Sequence, residues 1–292
     1  MIINKETIDN LYIGLKANYN MGFSAANPQY TKIATEIASS SGSNQYNWFG
    51  DFPMFREFSG ERVVHNVKTY DYTLKNIRFE ATESLGQDEI EDNVTNMFGV
   101  RIREMGRIAA LHPDELVFGA LKAGATNLAY DGQYFFDTDH PVGSTTVSNI
   151  NTTGGGDYWY LLDTSRTLKP LVFQRRKPYE FVQKIDPSDD NMFFRNELIY
   201  GVSTRVNAGY SFWQMAYASN QTLNATNFGA AEAAMMSITS DNGRPLNIEP
   251  TVLVVSPSNK AAAKQLLAQF NDAGADNIYY KAVDLIVTQY VA

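Results

Sequence analysis

An apolar stripe in the first half of the chain constrains the fold more than any other feature. Ile90, Val94, Met97, Phe98, Ile102, Met105, Ile108 and Ala109 recur at steps of three and four, the spacing of one helix face. Asp88, Glu89, Glu91 and Asp92 crowd its start, where carboxylates complement the helix dipole, and Arg101, Arg103 and Arg107 lie toward its other end. The spacing predicts a helix from about Asp88 to Leu111, roughly 36 Å long at ~1.5 Å per residue. Pro113 suits the first turn of a second helix ending near Gly124, so a kink or restart is expected at His112-Pro113. A helix this long serves as a beam on which other elements pack.

Before the beam, Ile8, Leu11, Tyr12 and Leu15 mark a short helix, and the polar run Ser39 to Asn44 reads as part of an extended or mobile arm. From Tyr46 to about Leu85 the period changes to two. Tyr70, Tyr72 and Leu74 share one parity, while Ile77, Phe79 and Ala81 take the other after Asn76. A one-residue slip moves every side chain to the opposite face, so a turn or bulge is expected there and the segment reads as a long hairpin. Such a hairpin is unstable alone and needs something to pack on.

After the beam, residues 131–157 are loop-rich, and Gly154-Gly155-Gly156 reads as a flexible loop. Strands are predicted at Leu171–Phe173, Tyr179–Ile185, Leu198–Val206 and Thr251–Val255, the last wholly apolar and buried on both faces. An Ala/Met-rich helix covers Phe228–Ser240. Another opens at Ser256-Pro257, with Ser256 as cap, and runs to about Phe270. Val283–Val291 supplies a last strand. The class is α+β, with a small α/β unit in the C-terminal half.

Composition excludes more than it assigns. With 24 basic and 32 acidic residues the formal net charge is −8, the wrong balance for gripping nucleic acid over a wide surface. The absence of cysteine removes disulfides, thiolate metal sites and a Cys nucleophile. No apolar run reaches the ~18 residues that span a bilayer, and the N-terminus lacks a signal-peptide core, so no membrane partner is expected. The 17 Tyr and 17 Phe suit either a β-rich core or surface buried against partners.

Asp137, Asp139 and His140 form the most metal-like cluster, and a cytosolic metal-dependent hydrolase using them is one alternative function. Asp-Thr-Asp-His-Pro is equally a run of turn formers. The carboxylates at 88–92 resemble an acid–base pair, but helix-start electrostatics accounts for them. No Lys-Ser/Thr follows Gly154-Gly155-Gly156, so it is no phosphate loop. Arg175-Arg176-Lys177 suits an intersubunit salt bridge, a solvated face or a contact to DNA. His65, His112 and His140 lack nucleophile–base spacing. No catalytic, cofactor-binding or metal-binding residue is therefore assigned, and no enzyme activity or cofactor is expected.

Several longer stretches resemble the Mu-like prophage major head subunit (gpT) family. They are Glu104-Met105-Gly106-Arg107-Ile108-Ala109-Ala110-Leu111-His112-Pro113-Asp114-Glu115-Leu116-Val117-Phe118, then Tyr130-Asp131-Gly132-Gln133-Tyr134-Phe135-Phe136-Asp137-Thr138-Asp139-His140-Pro141. Leu168 to Arg176, Phe212 to Ala216 and Gly243 to Thr251 extend the likeness, with echoes near Tyr30 and at Trp48-Phe49-Gly50-Asp51-Phe52-Pro53. The resemblance implies a tailed-bacteriophage major capsid protein with the Hong Kong 97-like fold. On that plan residues 1–45 are an N-terminal arm, 46–85 an extended β-hairpin loop lying over a neighbour, and 86–224 a peripheral domain with the spine helix. Residues 225–282 are an axial domain, and 283–292 a strand returning to the peripheral domain.

The implied function is self-assembly into pentamers and hexamers of an icosahedral shell around phage DNA, in the virion, after assembly in the host cytoplasm. Implied partners are copies of itself, a separate scaffold protein, a portal, a decoration protein and weak non-specific DNA contact. A bacterial encapsulating shell of the same fold is a second alternative. The ending Leu285 to Ala292 departs from the Pro-Trp-like ending expected of the family, which leaves the partners of the last strand open. The family carries no catalytic residues.

Overall fold

The computed structural model describes residues 5–46, 72–86, 88–89, 95–184, 194–270 and 274–292. Among the described residues the apolar stripe becomes α2 (Thr95–Lys122), beside α1 (Lys5–Ala25), α3 (Ala225–Met236) and α4 (Lys260–Leu266). The part of the predicted beam from Ile90 to Val94 lies outside the described residues. The helix does not restart at Pro113: α2 is 28 residues long with Pro113 in its interior. Proline removes one helical hydrogen bond, but packing on both sides of it outweighs that loss. Ala109 and Ala110 are buried before it, and Val117, Phe118 and Leu121 after it. Next to it, the Asp114 carboxylate accepts the backbone N–H groups of Gln29 and Tyr30 at 2.7–3.0 Å.

Two sheets flank this helix. The first has the order β1 (Ala34–Ala38), β9 (Leu171–Lys184), β10 (Glu197–Tyr210), β4 (Ile77–Gly86), with β1 parallel to β9 and the other pairs antiparallel. The two separate strands expected at 171–173 and 179–185 are thus one strand, β9, interrupted by register shifts around Pro178. A proline has no N–H for the ladder, so a bulge is the physical outcome.

The second sheet has the order β13 (Asp284–Val287), β12 (Val252–Val255), β8 (Trp159–Leu162), β11 (Ala216–Ser219), β7 (Ile150–Asn151). β8 and β12 are buried at every position, as continuous apolar runs require. This sheet draws strands from 150–162 and 216–219, so a boundary at 224/225 does not follow the sheets. β13 pairs in parallel with β12, and the chain then returns to α2 through the turn Gln289–Val291. The last strand therefore belongs to the second sheet, because its apolar residues complete that sheet's edge.

Other boundaries also shift. The final helix begins at Lys260, not Ser256, whose hydroxyl donates to Asp157. Residues 140–147 form a small hairpin, β5 (His140–Val142) and β6 (Thr145–Val147), turned by Gly143 at φ +59°. Asn224 caps α3 by accepting from Asn227 N.

The core has two parts. The larger lies between the second sheet, α3 and the C-terminal end of α2. The smaller joins Ile8, Leu15 and Tyr19 of α1 to Phe98, Ile102 and Met105 of α2, and to Phe181, Tyr200 and Val202 of the first sheet. Residues 5–25 are accordingly a packed helix, longer than the short one marked by Ile8 to Leu15. The polar run is ordered too: Ser39 and Ser41 bond Asn44 and Asn76.

Candidate functional site

The best metal candidate from the sequence does not assemble. His140 Nδ1 lies 2.7 Å from Asp131 Oδ2, with both side chains buried. Its ring stacks on Trp213, 3.9 Å between centroids and 9° between planes. Asp137 instead accepts backbone N–H groups of Thr138 and Tyr134, and Asp139 is exposed. Local backbone bonding, the ordinary habit of Asp in turns, occupies the Asp137 carboxylate. Among the described residues no group of three or more His, Asp or Glu is placed to hold a metal ion.

The other candidates are structural as well. Gly154 is pressed against the backbone of Asn220, where a Cβ would collide, and its N–H donates to Asn220 Oδ1. It is a packed crossing, not a flexible loop. Glu89 accepts the N–H of Gly86, while 90–92 and His65 lie outside the described residues. Arg175 pairs with Glu36 of the same chain at 2.6 Å. His112 Nδ1 meets the Tyr179 hydroxyl at 2.7 Å, and burial lowers its pKa.

Two surface features stand out. The first is a stalk. β2 (Ser43–Gln45) pairs antiparallel with β3 (Thr73–Lys75), and Tyr46 N donates to Tyr72 O at 2.8 Å. Residues 47–71 leave and re-enter the body at adjacent points. The two runs flanking Asn76 lie in different sheets: β3 pairs β2, and β4 joins the first sheet. The parity change is the passage from one sheet to the other. A buried amide anchors this stalk. Gln174 accepts from the Tyr46 hydroxyl at 2.8 Å and donates to Leu74 O and Asn76 Oδ1.

The second is a groove of about 400 Å³ between α2 and the edge strand β4. Phe79, Ala81, Ile108, Tyr179 and Val202 line it, and the Arg101–Glu83 ion pair sits at its wall. Ile108, counted from periodicity as part of the core face, is 55% exposed here, and Met97 on the same line of the helix is 73% exposed. Phe98, Ile102, Met105 and Ala109 centre the buried arc, so Met97 and Ile108 fall about 90–110° to one side at 100° per residue. The sequence signal for the groove was therefore a stripe too wide for the face it buries. Gln174, Asn149 and Asp131 carry polar anchors that no motif announces.

A family model described as the Mu-like prophage major head subunit gpT matches residues 8–291. The Mu-like prophage FluMu major head subunit of Haemophilus influenzae is 40% identical over 276 residues, 91% of this chain and 90% of that one. The major capsid protein of Escherichia phage Mu is 39% identical over 277 residues, 91% of each chain. Among solved structures, a chain of the procapsid of bacteriophage JBD30 superposes with a TM-score of 0.87 at 40% identity, covering 99% of this chain and 100% of that one. A chain of the JBD30 capsid gives 0.81 at 33% identity over 92% of each.

Proposed function

The chain belongs to the Mu-like prophage major head subunit gpT family, and from that premise we infer that it is the major capsid subunit of a tailed-phage head. Its fold is that of the phage capsid chains it superposes on. The observation that carries this reading is the near-complete superposition on a procapsid subunit, joined to a family match across residues 8–291.

Copies of the chain join by heterologous contacts into closed rings of five and six, which tile an icosahedral shell around DNA. The loop expected at 46–85, of which residues 47–71 lie outside the described residues, laps over a neighbouring copy. The unit built on the second sheet points toward the ring axis. Two features support this. The stretch 47–71 contains Trp48, Phe49, Phe52, Phe55 and Phe58, and the body carries an open apolar groove. The subunit works as a building block, not as a catalyst, and the hydrolase alternative has lost its ligand set. A separate scaffold, a portal and DNA are its other proposed partners. A JBD30 capsid is described as decorated with minor capsid protein trimers, which supports a decoration partner here too. Assembly takes place in the host cytoplasm.

Electron microscopy and sedimentation of the expressed chain test the reading. Closed particles are expected, while monodisperse monomers at high concentration would refute it. A variant in which Asn-Gly joins Tyr46 directly to Tyr72, a two-residue turn suited to that register, is expected to fold but not to form particles.

A further inference from the structure

The first sheet has one face on α1 and α2 and another that points away. Along β10, Tyr200, Val202, Thr204 and Val206 are buried, while Ser203 and Arg205 are only partly so. Across this outer face the register sets Arg78 of β4 opposite Arg205, and Arg205 opposite Lys177 of β9. Three cations thus occupy one row across strands ~4.8 Å apart. The next row is opposite in sign: Ser203 stands between Glu80 of β4 and Glu180 of β9. Arg78, Glu80, Lys177 and Glu180 are exposed.

Like charges directly opposite each other oppose sheet formation. Among the described residues no carboxylate lies within 4.0 Å of Arg78, Arg205 or Lys177. The ladder is also bent to make the row. Register shifts occur on both sides of the Arg205–Lys177 pair, and bulges of this kind re-aim side chains. In the same bulged stretch, Arg176 holds a guanidinium nitrogen that is buried and without a partner among the described residues. Among the described residues, therefore, nothing neutralises this repulsive row.

We propose that this striped face is a docking surface for a second copy of the chain, whose carboxylates seat on the Arg78–Arg205–Lys177 row and whose cations meet Glu80 and Glu180. The alternation of sign selects this occupant. A nucleic-acid backbone is uniformly negative, and along the basic row it would run beside two carboxylates. A protein surface of mixed sign satisfies both rows, and a chain with 32 acidic residues supplies the carboxylates. The inference rests on the reading of the chain as a shell subunit.

The test is Arg205→Glu, which turns the row into plus, minus, plus. The free subunit is expected to melt at or above the wild-type temperature, because two repulsive pairs become attractive, while particle yield falls about tenfold or more. A merely structural role for Arg205 would lower both together. Arg205→Gln, which keeps a polar side chain and removes the charge, is expected to raise the subunit concentration needed for assembly by about tenfold; it decides the matter should the Glu variant fail to fold. Wild-type particle yield from either folded variant overturns the inference, and so do normal shells that merely retain less DNA. If the wild-type chain itself forms no particles, the shell reading fails, and that result is distinct from a failure of this inference.

Discussion

Replacing Gly106 by Ala tests how α1 is held. The residue lies on α2 at its crossing with α1, and a methyl group there would sit 3.0 Å from Phe23 N and closer still to the carbonyl oxygen of Tyr19. Both obstacles are backbone, so neither can rotate away, and the helices must separate by ~1 Å to restore contact distances near 3.5 Å. A gap of that size forfeits a quarter to a half of each contact across the seam. Ile8, Leu15 and Tyr19 bury their side chains there against Phe98, Ile102 and Met105. At ~2 kcal/mol for each of the three α1 residues, the separation costs roughly 1.5–3 kcal/mol on that side alone, with a similar loss from the facing residues. Ala is a better helix former than Gly by ~1 kcal/mol, which offsets part of it. The expected net destabilisation is about 2–5 kcal/mol, at or above the usual range for overpacking. Gly14 on α1 is the control, since a Cβ there meets nothing within 4 Å. Gly14→Ala is expected to stabilise by ~0.5–1 kcal/mol. Urea melts of the free subunits, followed by near-ultraviolet circular dichroism, give both numbers. The packing account fails if Gly106→Ala stabilises the subunit as Gly14→Ala does.

Other perturbations address the stalk, the groove and the buried pair. Gln174→Leu leaves Leu74 O, Asn76 and the Tyr46 hydroxyl without the amide they bond, and is expected to cost ~2–4 kcal/mol and to speed proteolysis between Tyr46 and Tyr72. Burial holds His112 below its ordinary pKa of 6.5, so the unfolded chain takes up the proton first. The stability this provides is complete above about 6.5 and is lost as pH falls through the lower folded value, so thermal melts of His112→Gln should vary less over that acidic interval. His140→Phe keeps the stack on Trp213 but strands the buried Asp131, and is expected to cost ~2 kcal/mol or more. Adding Asp131→Asn should recover most of that loss in a double-mutant cycle read by chemical denaturation.

The elements that periodicity revealed were those whose burial follows one period over many residues. Phe98, Ile102, Met105 and Ala109 announce α2, and Val252–Val255 announces a strand covered on both faces. Features set by distant partners were not legible. Pro113 argued for a break, yet the burial of Val117, Phe118 and Leu121 carried the helix through it. The parity change at Asn76 was read as a turn or bulge, because nothing local says that β3 and β4 belong to different sheets. The separation of His140 from Asp137 and Asp139 was open for a similar reason. Its cause is Asp131 nine residues earlier and Trp213 in a different element. The rows of charge on the outer sheet face need the register of three strands, two of them bulged or remote in sequence.

Hydrogen exchange, measured on free subunits and on assembled particles of the same chain, bears most directly on the claim that copies of the protein complete one another. Amides within 47–71 should exchange far more slowly in particles than in free subunits, while those of β8 and β12, already buried in the core, should change little. Equal protection of 47–71 in the two states, or the absence of any particle to compare, would contradict it.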